Sequence, residues 1–359
     1  MKHNTIYTGD ATETLQELPP ESVHMVMTSP PYWNLRDYDH ADQLGLEPES
    51  DQYVQNMADV FDEVKRVLRP DGSLWLNLGD TYENKDLQQI PARVALELQN
   101  RGWILRNRVT WAKPNPMPQS VKDRLNDSTE AVFHFVKERD YWYDLDAIRE
   151  PHAESTHERD KYGSRTNDEW VKGQDDNHNA SGHSGMNPAG KNPGDVFDVT
   201  TKPFPEAHFA VYPPELVEKP LKATCPPTVC AACRSPYERL TEKTGEFVTT
   251  ERGERNRPKM HNHGSDKHGS KIGTQKRRFK GWEPTCNCDT DATESGVALD
   301  PFAGAGTTLL KAKELGRKFV GVELNAKYAD MARARVGIDV DDPSNVRSDA
   351  GQSGLEAYE

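Results

Sequence analysis

The sequence predicts an α/β protein built on a parallel, doubly wound sheet, and three observations carry that prediction. Short apolar runs alternate with amphipathic stretches over residues 1–150, the alternation resumes at Val297, and a glycine-bearing turn follows the strand at 297–300. In chain order, Ile6-Tyr7 leads into Gly9-Asp10, and a short helical stretch runs to Pro19-Pro20. Val23-His24-Met25-Val26-Met27 reads as a buried strand that meets a loop at Thr28-Ser29-Pro30-Pro31. Over 52–69, Val54, Met57, Ala58, Phe61, Val64, Val67 and Leu68 recur at three- and four-residue spacing. That pattern predicts an amphipathic helix stopped by Pro70-Asp71-Gly72. A strand at 73–78, a helix over roughly 88–101 and strands near 103–111 and 130–137 complete this half.

Composition bounds the function classes. The chain has 359 residues, 34% of them hydrophobic, and a formal charge of −13, which speaks against a uniformly basic coat for nucleic acid. No apolar run approaches 18 residues and no apolar segment follows Met1-Lys2-His3-Asn4-Thr5, so neither a membrane span nor a secretory signal is expected. Four of the five cysteines fall in close pairs, which favours a metal site in a reducing compartment over disulfides. A soluble, cytoplasmic protein is expected. After Tyr143 the pattern breaks down, and 151–200 reads as an irregular segment without usable period. Order returns at His208-Phe209-Ala210-Val211-Tyr212-Pro213-Pro214, followed by a helix to about Ala223. From Gly337 onward the chain holds six acids and one arginine and reads as a solvated tail.

The segment Val297 to Thr308 is a strand, a turn with Gly304 and Gly306, and a helix start. Such a turn lets backbone approach a ligand closely, although it also occurs in α/β proteins that bind nothing there. A second strand, Phe319-Val320-Gly321-Val322, ends in Glu323, where an acid can accept hydrogen bonds from ribose hydroxyls. Leu309 occupies the place of the third glycine of the dinucleotide fingerprint, so a pyrophosphate is disfavoured. A nucleoside without phosphates fits better, and S-adenosylmethionine is the common one.

Thr28-Ser29-Pro30-Pro31-Tyr32-Trp33 follows a buried strand, where α/β sheets place their chemistry. The two prolines stiffen the loop, and Tyr32 and Trp33 are expected to offer flat faces at its mouth. A rigid cluster of acceptors beside an aromatic platform suits a planar base with an exocyclic amine, flipped out of its duplex. The alternative is a proline turn that merely caps a strand.

Thr28-Ser29-Pro30-Pro31-Tyr32-Trp33 together with Asp300-Pro301-Phe302-Ala303-Gly304-Ala305-Gly306-Thr307-Thr308 resembles the amino-methylating DNA methyltransferases. The catalytic motif precedes the cofactor motif, as in the permuted β group of that family. The resemblance implies a Rossmann-like sheet dependent on S-adenosylmethionine, with double-stranded DNA as substrate and a cognate restriction nuclease as a partner it leaves open. It implies catalytic roles for Ser29, Pro30, Pro31 and Tyr32. Cofactor roles fall to Asp10 and Ala11 in the Gly9-Asp10-Ala11 loop, and to Asp300, Phe302, Gly304, Gly306, Thr307 and Glu323. Residues 208–216 resemble the segment that covers the methionine end. Serine at position 29 is usual for cytosine-N4 enzymes and aspartate for adenine-N6 enzymes, so both stay open. In the three-proline loop at 111–124, Lys113, Lys122 and Arg124 are expected beside DNA phosphates.

Cys230-Ala231-Ala232-Cys233 and Cys286-Asn287-Cys288 can close a structural Cys₄ zinc site; buried thiols without metal are the alternative. Cys225 reads as a free thiol. Between the pairs, residues 251–281 hold ten Lys/Arg against three acids, a local charge of +7 that leaves −20 for the rest. A zinc-stapled hairpin whose basic residues, Arg277 and Arg278 among them, grip phosphates is expected, against a disordered basic loop. The expected division is a catalytic half (1–150), an irregular target-recognition region (151–207) and a cofactor-covering segment (208–224). A zinc-binding insertion (225–290), a cofactor-binding half (291–336) and an acidic tail (337–359) follow. Three functions compete: a cytosine-N4 DNA methyltransferase, an adenine-N6 enzyme on the same fold, and a zinc-containing DNA-binding protein without activity.

Overall fold

The computed structural model describes residues 1–37, 43–154, 187, 189–202, 211–248 and 274–338. Most of the irregular 151–207 region, His208 to Ala210, most of the basic stretch between the cysteine pairs and the acidic tail lie outside the described residues. Two compact units emerge: Met1–Asp144 with Gly194–Tyr237 and Pro284–Glu359, and Leu145–Pro193 with Glu238–Glu283.

The first unit begins with β1 (Thr5–Thr8), α1 (Ala11–Glu17), β2 (Val23–Thr28), α2 (Ser50–Val67) and β3 (Leu68–Leu78). A small hairpin of β4 (Tyr82–Glu83) and β5 (Asp86–Leu87) precedes α3 (Ile90–Asn100), β6 (Ile104–Ala112) and β7 (Thr129–Val136). After β8 (Val196–Asp198), α4 (Pro214–Thr224) and β9 (Val229–Cys230), the chain forms β10 (Tyr237–Val248) and β11 (Thr274–Pro284), a two-stranded sheet assigned chiefly to the second unit. It then completes the first unit with β12 (Thr293–Glu294), β13 (Val297–Asp300), α5 (Thr307–Glu314), β14 (Lys318–Glu323) and α6 (Ala326–Val336).

Eight strands form one sheet in the order β1-β14-β13-β2-β3-β7-β6-β8. The expected parallel pairing holds from β1 to β3, but β7 runs antiparallel to both neighbours. The cause is connectivity. The crossover through α3 returns β6 in the direction of β3 with a vacant slot between them, and the helix-free segment 113–128 turns β7 back into that slot. β8, parallel to β6, lies inside a stretch whose sequence shows no period.

The predicted helix over 52–69 forms as α2, with Tyr53, Met57, Ala58, Phe61 and Val64 fully buried. Pro70-Asp71-Gly72 does not end it, because β3 has already begun at Leu68. A register shift against β2 between Val23 and Met25 absorbs these residues. Gly72 is needed there, since a Cβ would stand 2.9 Å from the His24 carbonyl oxygen. Apolar clusters cover both sheet faces, one holding α2 and α3, the other α4, α5 and α6. Among the described residues no helix is long and apolar enough to cross a membrane.

Candidate active site

The carboxyl ends of β1, β2, β13 and β14 converge on one cleft of about 870 Å³, counted to its open mouth. Gly9, Asp10 and Ala11 after β1, Ser29 and Pro31 after β2, Pro301 to Ala305 and Thr307 after β13, and Glu323 to Asn325 after β14 line it with Tyr212. This is the crevice where open α/β sheets bind ligands.

The turn after β13 is tightly held. Gly304 and Gly306 adopt φ of 49° and 74°, and a Cβ on Gly306 would lie 3.0 Å from Ala332 Cβ. Arg335 donates to the Ala305 carbonyl (3.0 Å) and the Thr307 hydroxyl (2.9 Å). Glu323 accepts the Gly304 N–H at 2.7 Å on one oxygen and the Asn325 N–H at 2.9 Å on the other. Burial raises its pKa. Asp10 caps α1, its Oδ1 accepting the Glu13 N–H at 3.0 Å.

Asp300 lies beneath the cleft, fully buried, rather than on its wall. Its carboxylate accepts from Thr28 Oγ1 (2.7 Å), Tyr212 Oη (3.0 Å) and the Phe302 N–H (3.1 Å), so it ties the tips of β2 and β13 together. Burial pushes its pKa up to about 6.

The proline loop carries a second network. Tyr32 Oη donates to Glu130 Oε2 at 2.7 Å and lies 3.1 Å from Ser29 Oγ. The Asn77 amide nitrogen reaches Ser29 Oγ (3.2 Å), Tyr32 Oη (2.8 Å) and Glu130 Oε2 (2.8 Å). Lys113 pairs with the other Glu130 oxygen. Burial and the Glu130 charge raise the Tyr32 pKa well above that of a free phenol. Trp33, expected at the mouth, is 2% exposed and packs in the core, its indole N–H donating to the Glu47 carbonyl. A Cβ on Gly79 would stand 2.5 Å from the Tyr32 ring, so the ring rests on bare backbone.

A family profile described as DNA methylase, covering N6 and N4 enzymes, matches residues 23–229 and 290–334. The chain belongs to the N6/N4 DNA methylase family. The Type II methyltransferase M.XycI of Xanthomonas campestris pv. cyanopsidis is 32% identical over 94% of this chain and 88% of its own. M.SfiI of Streptomyces fimbriatus is 33% identical over 90% and 88%. Among solved structures, the PvuII DNA methyltransferase (cytosine-N4-specific) aligns with a TM-score of 0.56 over 95% of this chain and 88% of that one, at 17% identity. This last likeness shows the shared fold.

Asn77, Glu130 and Arg335 are site residues that sequence reasoning missed in this methylase. Asn77 had a visible signal, a lone polar residue in the apolar run Leu74-Trp75-Leu76-Asn77-Leu78. Glu130 had none, because a parallel β7 would carry it to the opposite end of the strands, away from the loop after β2. Of the residues expected at phosphates, Lys113 sits in the Glu130 network and 4.7 Å over the Trp111 ring. Lys122 is exposed; Arg124 pairs with Asp127 at 3.0 Å and stacks 3.9 Å over Tyr82. In the second unit Arg277 and Arg278 are exposed, and Arg278 lies 3.5 Å from Glu242. Beside it, Arg239 packs over Phe279 and Trp282 at 4.8 and 5.0 Å.

The sulfurs of Cys230, Cys233, Cys286 and Cys288 lie within 4.8 Å of one another. A tetrahedral site with Zn–S bonds of about 2.3 Å has edges of ~3.8 Å, so the four fit a zinc ion after slight contraction. The knuckle is fastened to the start of β2 and β13. Val297 N–H donates to His24 Nδ1 at 3.1 Å, so the imidazole hydrogen sits on Nε2 and donates to the Arg234 carbonyl at 3.0 Å. The proline loop leaves the opposite end of β2, roughly 17 Å away for six residues. Cys225 stands apart, fully buried.

Proposed function

We propose that this methylase is a site-specific DNA methyltransferase of the Type II restriction–modification kind that transfers a methyl group from S-adenosylmethionine to the N4 amine of a flipped cytosine in duplex DNA. The observation that carries this is that the proline loop, through Ser29 and Pro31, and the glycine turn, through Gly304 and Ala305, line one cleft. S-adenosylmethionine supplies an electrophilic methyl group when bound. Glycines without side chains, the buried acid Glu323, the Asp10 carboxylate, Ala11, Thr307 and the Phe302 ring suit an adenosyl group, with Asp300 holding the turn from below. The Ser29 hydroxyl and Pro30 carbonyl accept hydrogen bonds from the target amine and turn its lone pair toward the methyl. Pro31 stiffens the loop and Tyr32 supports the base. Such positioning supplies several kcal/mol without a covalent intermediate.

Serine at position 29 supports cytosine over adenine, and adenine N6 is the second reading because either amine presents the same hydrogens. Lys122, Arg124, Arg277 and Arg278 are proposed to serve the DNA backbone, and 151–207 with 225–290 the target sequence, whereas the Lys113 ammonium is taken up by Glu130. The four clustered thiolates are proposed to hold a structural zinc ion, far from the reacting atoms. Tritiated S-adenosylmethionine with duplex DNA, followed by nucleoside analysis, tests the function. N4-methylcytosine is expected, N6-methyladenine would establish the second reading, and no product would refute both. Ser29→Ala is expected to lower transfer about 10²- to 10³-fold; an unchanged rate would remove Ser29 from the mechanism.

A further inference from the structure

Among the described residues, Glu130 is a half-buried carboxylate that touches Tyr32 directly and shares the Asn77 amide with Ser29. It starts β7, with its side chain 15% exposed, and its two oxygens face different partners. Oε1 meets the Lys113 ammonium, while Oε2 accepts from Tyr32 Oη at 2.7 Å and from the Asn77 amide at 2.8 Å.

The hydrogens in this cluster follow from its donors and acceptors. The Tyr32 hydrogen is committed to Glu130. Asn77 contributes only N–H groups here, and with the Tyr32 hydrogen committed, Ser29 is the donor in its 3.1 Å contact with the Tyr32 oxygen. Ser29 therefore turns a lone pair to the cleft it lines. A hydroxyl, a phenol and a carboxylate thus stand in a line of single direction, each donating to the next.

We infer that Ser29, Tyr32 and Glu130 form a proton relay that carries the surplus proton of the methylated amine from the cleft to the Glu130 carboxylate. This rests on the reading of the cleft as an amine methyltransferase site. As the N–C bond forms, the donor's S–C bond breaks and its electron pair stays on sulfur, leaving the amine nitrogen with one proton too many and a positive charge. That proton passes to Ser29 Oγ, the serine proton to Tyr32 Oη, and the phenolic proton to Glu130 Oε2. Atoms and charge balance: the amine ends neutral and Glu130 ends protonated, and its partly exposed carboxyl releases the proton to solvent with the product. Lys113 and Asn77 are positioning residues that aim the carboxylate. Burial keeps the phenol protonated, as a relay member must be.

Tyr32→Phe keeps the ring that supports the base and breaks the relay in the middle; Glu130→Gln keeps the shape of its terminus and removes the acceptor. Single-turnover transfer of tritium from S-adenosylmethionine to unmethylated, genome-length bacterial DNA is measured for the wild type, both variants and the double variant. Calorimetric affinity for S-adenosylmethionine and the unfolding temperature serve as controls. Each single variant is expected to lose on the order of 10²-fold in rate with KM for DNA unchanged. The double variant is expected to lose no more, because a relay cut once is already cut. A wild-type rate in Glu130→Gln, or a double-variant loss equal to the product of the two singles, would overturn the relay. No transfer by the wild type would instead refute the methyltransferase reading.

Discussion

Tyr32 Oη donates a hydrogen bond to Glu130 Oε2 across 2.7 Å, joining residues 98 positions apart. That bond links the loop after β2 to the first residues of β7, and it exists because β7 runs against its neighbours. It also explains a requirement one strand away, at Gly79, against which the Tyr32 ring lies.

Gly79→Ala would place a methyl 2.5 Å from Tyr32 Cε2, closer than real contacts allow. The ring has to move, and the bonds to Glu130 and Ser29 lengthen with it. Methyl transfer is expected to fall at least tenfold. Gly79 has no left-handed backbone to lose, so the unfolding free energy obtained from urea titration should fall by only about 1–3 kcal/mol, the usual cost of overpacking. Activity equal to wild type would show that the phenol position is unimportant.

Removal of metal by a strong chelator should make four of the five thiols reactive to an aromatic disulfide reagent. Cys225 should stay silent in the folded protein, because burial pushes its thiol up to about 12 and excludes the reagent. The unfolding temperature should drop on chelation and recover with added zinc. Thiols that react equally with and without chelator would argue that the cluster holds no ion.

Stability should decline as the pH falls from about 6.5 toward 4. His134, stacked on Trp75 at 4.2 Å, and His24 are buried, and burial lowers their pKa values to about 3 and about 4. Unfolded chains bind protons at these sites near pH 6.5 while the folded protein does not, so acid favours unfolding. Asp300, raised to about 6, is protonated first in the folded state and opposes this between pH 6 and 4. With His3 also lowered to about 4 and Glu323 also raised by burial, three histidines against two acids leave a slope on the order of 1 kcal/mol per pH unit. Urea midpoints between pH 7 and 4.5 measure it. His134→Gln should flatten the curve, and an unchanged slope would exclude His134 as its source.

Lys122→Ala and Arg277→Ala should weaken DNA binding uniformly across sequences. If each cation meets one phosphate, the slope of log affinity against log salt should shrink by roughly one per substitution. Fluorescence anisotropy over a salt series reads this directly. A slope identical to wild type would place the side chain away from the backbone.

Much of this protein was legible in order of residues alone. Periodicity located α2 and α3, and the apolar runs at 23–27 and 297–300 announced β2 and β13 as strands with functional loops at their tips; that they pair side by side came from the structure. The proline loop, the glycine turn and the paired cysteines could be read because each needs only residues close in sequence. Other features depended on contacts that spacing does not encode. Trp33 was expected at the mouth and lies in the core, since a loop's direction is set by what packs against it. Asp300 reads as a cleft residue by its motif, but the hydroxyls of Thr28 and Tyr212 hold it underneath. Lys113 reads as one cation in a basic loop, yet its partner is Glu130. The deciding event is the antiparallel insertion of β7. Alternation of strands and helices specifies which segments form the sheet, whereas strand direction depends on which slot remains when the crossover through α3 has closed. Only the folded sheet brings Glu130 to Tyr32 and Ser29, and so completes the site.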